Sequence, residues 1–81
     1  MPDLRQWATG PRGHELRLDC GLVLLEWHEP NCQWCVTCEA LGVHCLLLCR
    51  DLEGSKSEAL RMLLAYVRLA EAELAQYVEA N

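Results

Sequence analysis

Glu15-Leu16-Arg17-Leu18-Asp19-Cys20-Gly21-Leu22-Val23-Leu24-Leu25-Glu26-Trp27 is the stretch that decides the fold. Its first five residues alternate apolar and polar, the mark of a strand with one buried face. Cys20-Gly21 supplies a two-residue hairpin turn, because Gly takes φ > 0 freely, and residues 22–27 return as a second strand. Pairing across that turn sets Leu18 opposite Val23 and Leu16 opposite Leu25. Leu16, Leu18, Val23, Leu25 and Trp27 then share one face, and Arg17, Asp19, Leu22, Leu24 and Glu26 occupy the other.

Downstream, His28-Glu29-Pro30-Asn31 reads as a turn fixed by its Pro and Asn. A third strand follows over residues 33–39. Ala40-Leu41-Gly42 closes a second hairpin, and a fourth strand runs from residue 43 to about residue 50. A loop of two or four residues places Trp34, Val36 and Cys38 on the face of Val43, Cys45, Leu47 and Cys49; a three-residue loop would reverse that parity. Ser55-Lys56-Ser57-Glu58 matches a capping box, with Ser55 at the N-cap and Glu58 three residues on. The helix then continues to about residue 79, with Leu60, Leu63, Leu64, Val67, Ala70, Leu74, Tyr77 and Val78 at helical spacing. The expected fold is α+β: a four-stranded antiparallel meander followed by one long C-terminal helix packed on one sheet face, ββββα.

Upstream, residues 1–13 read as an N-terminal arm broken by Gly10, Pro11 and Gly13. Leu4 and Trp7 are its large apolar groups, and Arg5 and Arg12 make it locally basic. Residues 14–81 form a single domain, as a chain of 81 residues predicts.

Seven Lys and Arg stand against 12 Asp and Glu, for a net charge of −5. That balance opposes direct nucleic-acid binding, which needs clustered cations. No apolar run approaches the roughly 20 residues that span a membrane, so no membrane partner is expected. The first residues lack a basic region followed by an apolar one, so the expected location is cytoplasmic.

The six cysteines raise the sharpest chemical question. Cys32-Gln33-Trp34-Cys35 has zinc-ligand spacing, and Cys32, Cys35, Cys38 and His44 are the candidate set for a metal. Cys45 and Cys49 complete it poorly, since strand rise puts them about 13 Å apart. Trp34-Cys35-Val36-Thr37-Cys38 resembles the active-site string of the thioredoxin family over those five residues, which implies thiol redox chemistry at a helix start. Val36 and Thr37 are β-branched and favour a strand instead. A small cytosolic chain keeps its thiols reduced, which disfavours a disulfide framework. The plainer reading, and the one favoured, makes most of these thiols core residues packed like small hydrophobes, with no cofactor.

No serine-centred elbow, phosphate-cradling loop or zincin string is present, and the three histidines are scattered. A non-catalytic protein is expected. Glu71, Glu73 and Glu79 form a solvated acidic face that opposes the helix dipole at its C-terminal end. Under the pairing above, the outer sheet face carries Leu22, Leu24, Leu46 and Leu48, and one helix covers only one face. Contiguous exposed leucines mark an interface, unless the arm folds over them with Leu4 and Trp7. The functional expectation is a small acidic protein-interaction module, inhibitor- or adaptor-like, engaging a protein partner or forming a homodimer through Leu22, Leu24, Leu46, Leu48 and Trp7. By analogy of size and charge, it suggests a phage or mobile-element inhibitor of a host defence nuclease. The rival class is a zinc-binding or thiol-redox protein using Cys32, Cys35 and Cys38.

Overall fold

The computed structural model describes residues 6–80, with the side chain of residue 80 left aside. Leu4 and Arg5 of the expected arm lie outside the described residues. The chain forms an antiparallel sheet in sequential order: β1 (Ala8–Thr9), β2 (His14–Leu18), β3 (Gly21–His28), β4 (Gln33–Cys38) and β5 (Val43–Leu46), followed by one helix, α1 (Leu52–Ala80). The α+β meander-plus-helix is as the sequence predicts. The strand count is five where four were expected, because Ala8 and Thr9 of the arm pair with Glu15 and His14.

The first hairpin sits one residue earlier than its turn chemistry suggests. Asp19-Cys20 forms the turn, and the register pairs Leu18 with Gly21 and Leu16 with Val23. Gly21 belongs to the strand, at φ +151, and position 21 needs a glycine because the Ala40 side chain lies only 2.6 Å from where a Cβ would stand. The slip is two residues in the pairing, so side-chain parity survives and the apolar faces fall as expected.

The two following connections share one design. Glu29–Asn31 and Glu39–Leu41 each form a short 3-10 turn, and each ends on a left-handed residue, Cys32 at φ 49 and Gly42 at φ 69. The amides of Cys32 and Gly42 donate back to the Glu29 and Glu39 carbonyls at 3.2 and 3.1 Å. Both loops are therefore four residues long, the parity that keeps Val36 opposite Cys45 and Cys38 opposite Val43.

Leu16, Val23, Leu25, Val36 and Cys38 on the inner face pack with Leu47, Ala59 and Leu63 to form the core, all at 5% exposure or less. Each large apolar side chain there contributes on the order of 1.5–3 kcal/mol. Trp27 and Trp34 meet edge-on at 5.4 Å, and His14 also meets Trp34 edge-on, at 5.7 Å.

The ladder ends earlier than residue 50. Leu47 donates its amide to the Trp34 carbonyl at 2.8 Å, and the chain then turns away from the sheet. The helix also begins before Ser55. Asp51 is the cap: its carboxylate accepts the Gly54 amide at 2.8 Å, which satisfies one of the orphan donors of the first turn. Ser55 is instead fully buried inside the helix and donates its hydroxyl to the Cys49 carbonyl at 2.9 Å. Glu58 does not fold back onto a cap; it accepts the amides of Leu48 and Cys49.

The helix covers the sheet with only its first half. Ser55, Ala59 and Leu63 are buried, whereas every residue from 64 to 79 is exposed. A 29-residue helix is about 43 Å long, while five strands at about 4.8 Å spacing span under 20 Å. The remainder overhangs. The radius of gyration of 14.5 Å records this, against about 12 Å for a compact chain of this size.

Candidate interaction site

The outer sheet face differs from the leucine patch expected of it. Leu24 pairs with Thr37, and Glu26 with Cys35, which in turn lies opposite Leu46. Leu24 is only 5% exposed, Leu22 and Leu46 are 38% and 36% exposed, and Leu48 lies beyond β5 at 84%. Leu22 and Leu24 floor an open cleft of about 340 Å³ whose rim includes Arg12, Thr37 and Glu39. Arg12 reaches back to Glu26 at 3.4 Å, so part of the arm does approach this side. Trp7 does not. It packs against the core on the helix side, with the Lys56 ammonium 5.8 Å from its ring centroid.

The candidate metal residues are split. Cys35 and His44 meet on the outer face, with the sulfur 3.8 Å from Nδ1. Thr37 Oγ1 lies 2.8 Å from the same nitrogen. Cys38 points the other way, fully buried in the inner core. Cys32 sits in the β3–β4 turn, its thiol donating to the Glu29 carbonyl at 3.6 Å. Among the described residues, no group of three or more His, Cys, Asp or Glu is arranged to hold a metal ion.

The Cys35–His44 pair has the composition of a nucleophile and its base, and its electrostatics run the opposite way. Burial is the largest influence and pushes the Cys35 thiol up; the hydrogen bond with Thr37 lowers it by less, and Cys45 and Glu26 add smaller raising effects. An activated cysteine needs its thiolate stabilised; this one is held neutral. Cys45 is likewise raised by burial and by Glu58, and its thiol lies against the Met62 thioether. Both thiols are in packing environments.

A further exposed apolar surface lies on the overhanging half of α1. Leu60 and Leu63 face the sheet, and Val67, Ala70, Leu74 and Tyr77 continue the same three-four spacing into solvent. Val67 is 38% exposed, Leu74 64%, and Val78, beside them, 75%. Beneath the overhang runs a cleft of about 300 Å³, walled by Leu41 from the β4–β5 turn and by Tyr66, Val67, Ala70, Glu71 and Leu74 from the helix.

The chain matches no protein-family model, no curated protein and no solved structure. Its geometry is what speaks to function. The interaction residues named from sequence are dispersed: Leu22 and Leu46 remain on the outer face, Leu24 is buried between them, Leu48 is in the connection and Trp7 is on the opposite side. The overhang departs from the expected helix lying across one sheet face. The signal for it was present, since an apolar stripe running from residue 60 to residue 78 is about 28 Å long, wider than a four-stranded sheet. Among the described residues no helix is long and apolar enough to cross a membrane.

Proposed function

We propose that this chain is a non-catalytic protein-interaction module of the inhibitor or adaptor kind, and that it engages its partner through the overhanging half of α1. The observation that carries this reading is the exposure of residues 64–79 along a stripe that continues the buried Leu60–Leu63 seam. Exposed apolar stripes of this length, rimmed by charge, are interaction surfaces more often than they are idle surface. The raised thiol of Cys35 supports a packing role for the cysteines over thiol catalysis. Inhibition of a host defence nuclease by a phage or mobile-element protein is the specific form that the small size and acidic balance support, by analogy.

The test is a pull-down from the native host with the tagged full-length chain and with Leu74→Asp. Leu74 is 64% exposed, so the variant leaves the core and its cooperative melting transition in place, and circular dichroism reads any fraying of the last turns. A specific partner captured by the wild type and lost by the variant supports the reading; equal capture by both removes the helix from it. A second reading, a homodimer through the outer sheet face, draws on the exposure of Leu22 and Leu46 beside the Arg12–Glu39 cleft. Light scattering on wild type and Leu22→Glu tests it: a wild-type monomer ends that reading.

A further inference from the structure

We infer that the overhanging half of α1 takes a basic amphipathic helix of a partner protein, and not a second copy of this chain. The inference rests on the interaction reading above and specifies the chemistry of the occupant. Residues 64–79 form about four and a half turns, roughly 24 Å. The cleft beside them, between the helix and Leu41, is open along one side. That is the shape of a helix-in-groove site, read by side chains at i, i+3 or i+4, and i+7.

The flanking charges select the sign of the partner. With Val67 and Leu74 at the a positions of a heptad and Ala70 at d, Glu71 falls at e and Glu73 at g. Those two positions border the seam on either side and set partner choice. One arginine, Arg68, faces three glutamates, Glu71, Glu73 and Glu79, within residues 64–79. The last turn holds no basic residue, so Glu79, the one glutamate within it, sits uncompensated at the negative end of the helix dipole. A cationic flank on the occupant pairs with Glu71 and Glu73 along the two sides of the seam.

A second copy fits badly in either direction. Leu63 is 5% exposed and Leu60 packs beside it against the sheet, so two helices overlap only beyond residue 63. In the antiparallel sense the overlap centres near residue 72, which sets Glu71 against its own copy on one side of the seam and Glu73 against its own copy on the other. In the parallel sense each helix must continue through the space held by the other protomer's sheet. Each chain also carries a net charge of −5.

The experiment uses the full-length chain and two synthetic helical peptides of about 18 residues. Both carry leucines at a and d; one has Lys at e and g, the other Glu. Binding is read by fluorescence anisotropy of labelled peptide at low and high salt, with light scattering on the chain alone. The Lys peptide is expected to bind at least about tenfold tighter than the Glu peptide, with the difference shrinking as salt rises. Glu71→Gln with Glu73→Gln brings the two peptides within about threefold, and Leu74→Asp weakens both. Equal affinity of the wild type for both peptides overturns the inference. So does a wild-type dimer that Val67→Asp converts to monomer; that outcome leaves the interaction reading standing with a different occupant. Loss of a host partner on Leu74→Asp without any preference for the Lys peptide also defeats the basic-helix assignment alone.

Discussion

Glu58 holds the end of the sheet to the helix: its carboxylate accepts the Leu48 amide at 2.9 Å and, through its other oxygen, the Cys49 amide at 2.8 Å. Burial opposes ionisation of this carboxyl, but the two backbone amides and the Cys49 thiol outweigh it and, with Arg61, hold Glu58 below the usual carboxylate range. A lowered folded-state pKa adds stability that is complete above the unfolded value, about 4.5, and is lost as pH falls through the folded value. Urea midpoints measured from pH 7 down to pH 3 are expected to decline for the wild type across that window. Glu58→Gln starts lower by about 1–2 kcal/mol and declines less steeply. Parallel curves for the two proteins would show that Glu58 carries no such linkage.

Asp51 and Ser55 divide the work that a capping box would have given to Ser55 and Glu58. Asp51→Ala should cost about 1 kcal/mol, and Asp51→Ser much less, because Ser is an equally good cap. Ser55→Ala should cost about 1 kcal/mol for the donor lost to the Cys49 carbonyl. The discriminating variant is Ser55→Asp. At a cap it would be neutral; in this fully buried site it places an unpaired charge, with a loss above about 3 kcal/mol. Chemical denaturation of the four variants checks the assignment.

Cys32 and Gly42 occupy matching left-handed positions in the two four-residue loops. Nothing lies within 4 Å of where a Cβ on Gly42 would stand, so Gly42→Ala isolates the backbone term and should destabilise by about 1 kcal/mol. Cys32→Gly relieves the same strain and should stabilise by up to about 1 kcal/mol. Thermal melts of opposite sign at the two positions are the expected result.

The six thiols should react in an order set by access and ionisation. Cys20 and Cys32 are exposed and label first. Cys35, Cys45 and Cys49 follow slowly, since burial, the leading cause for each, raises their thiols. Cys38 is fully buried and labels only on unfolding. Mass spectrometry of a timed alkylation series reads the order directly.

Much of this fold could be read from local pattern. The alternation at residues 15–19 and the helical spacing after residue 58 each point to one structure, and the face assignments survived a two-residue register error because strand parity has period two. Three features escaped because they depend on tertiary contacts. Gly21 lies in β3 and not in the first turn, and what demands a glycine there is Ala40, from a distant loop, which fills the space beside it. Ser55 lost its capping role because the chain behind it brings the Cys49 carbonyl into reach. Ala8 and Thr9 carry little strand signal of their own and pair because β2 offers an open edge. The interaction residues scattered for a related reason: Leu24 is only 5% exposed in the folded sheet, and Leu48 lies outside it because the ladder stops at Leu47.

The overhang also divides the molecule into two tiers of stability. Residues 52–63 hold their helical form against the core, while residues 64–79 must do so mainly through local hydrogen bonds, in a run near the length at which isolated helices become marginal in water. The amides at that end should exchange with solvent through local fraying, while those around Val36 exchange only when the whole sheet opens. Docking would then be coupled to ordering. Part of the affinity would be spent on ordering the last turns, and a single glycine substitution at exposed Ala72 or Ala75 would weaken binding without touching a contact.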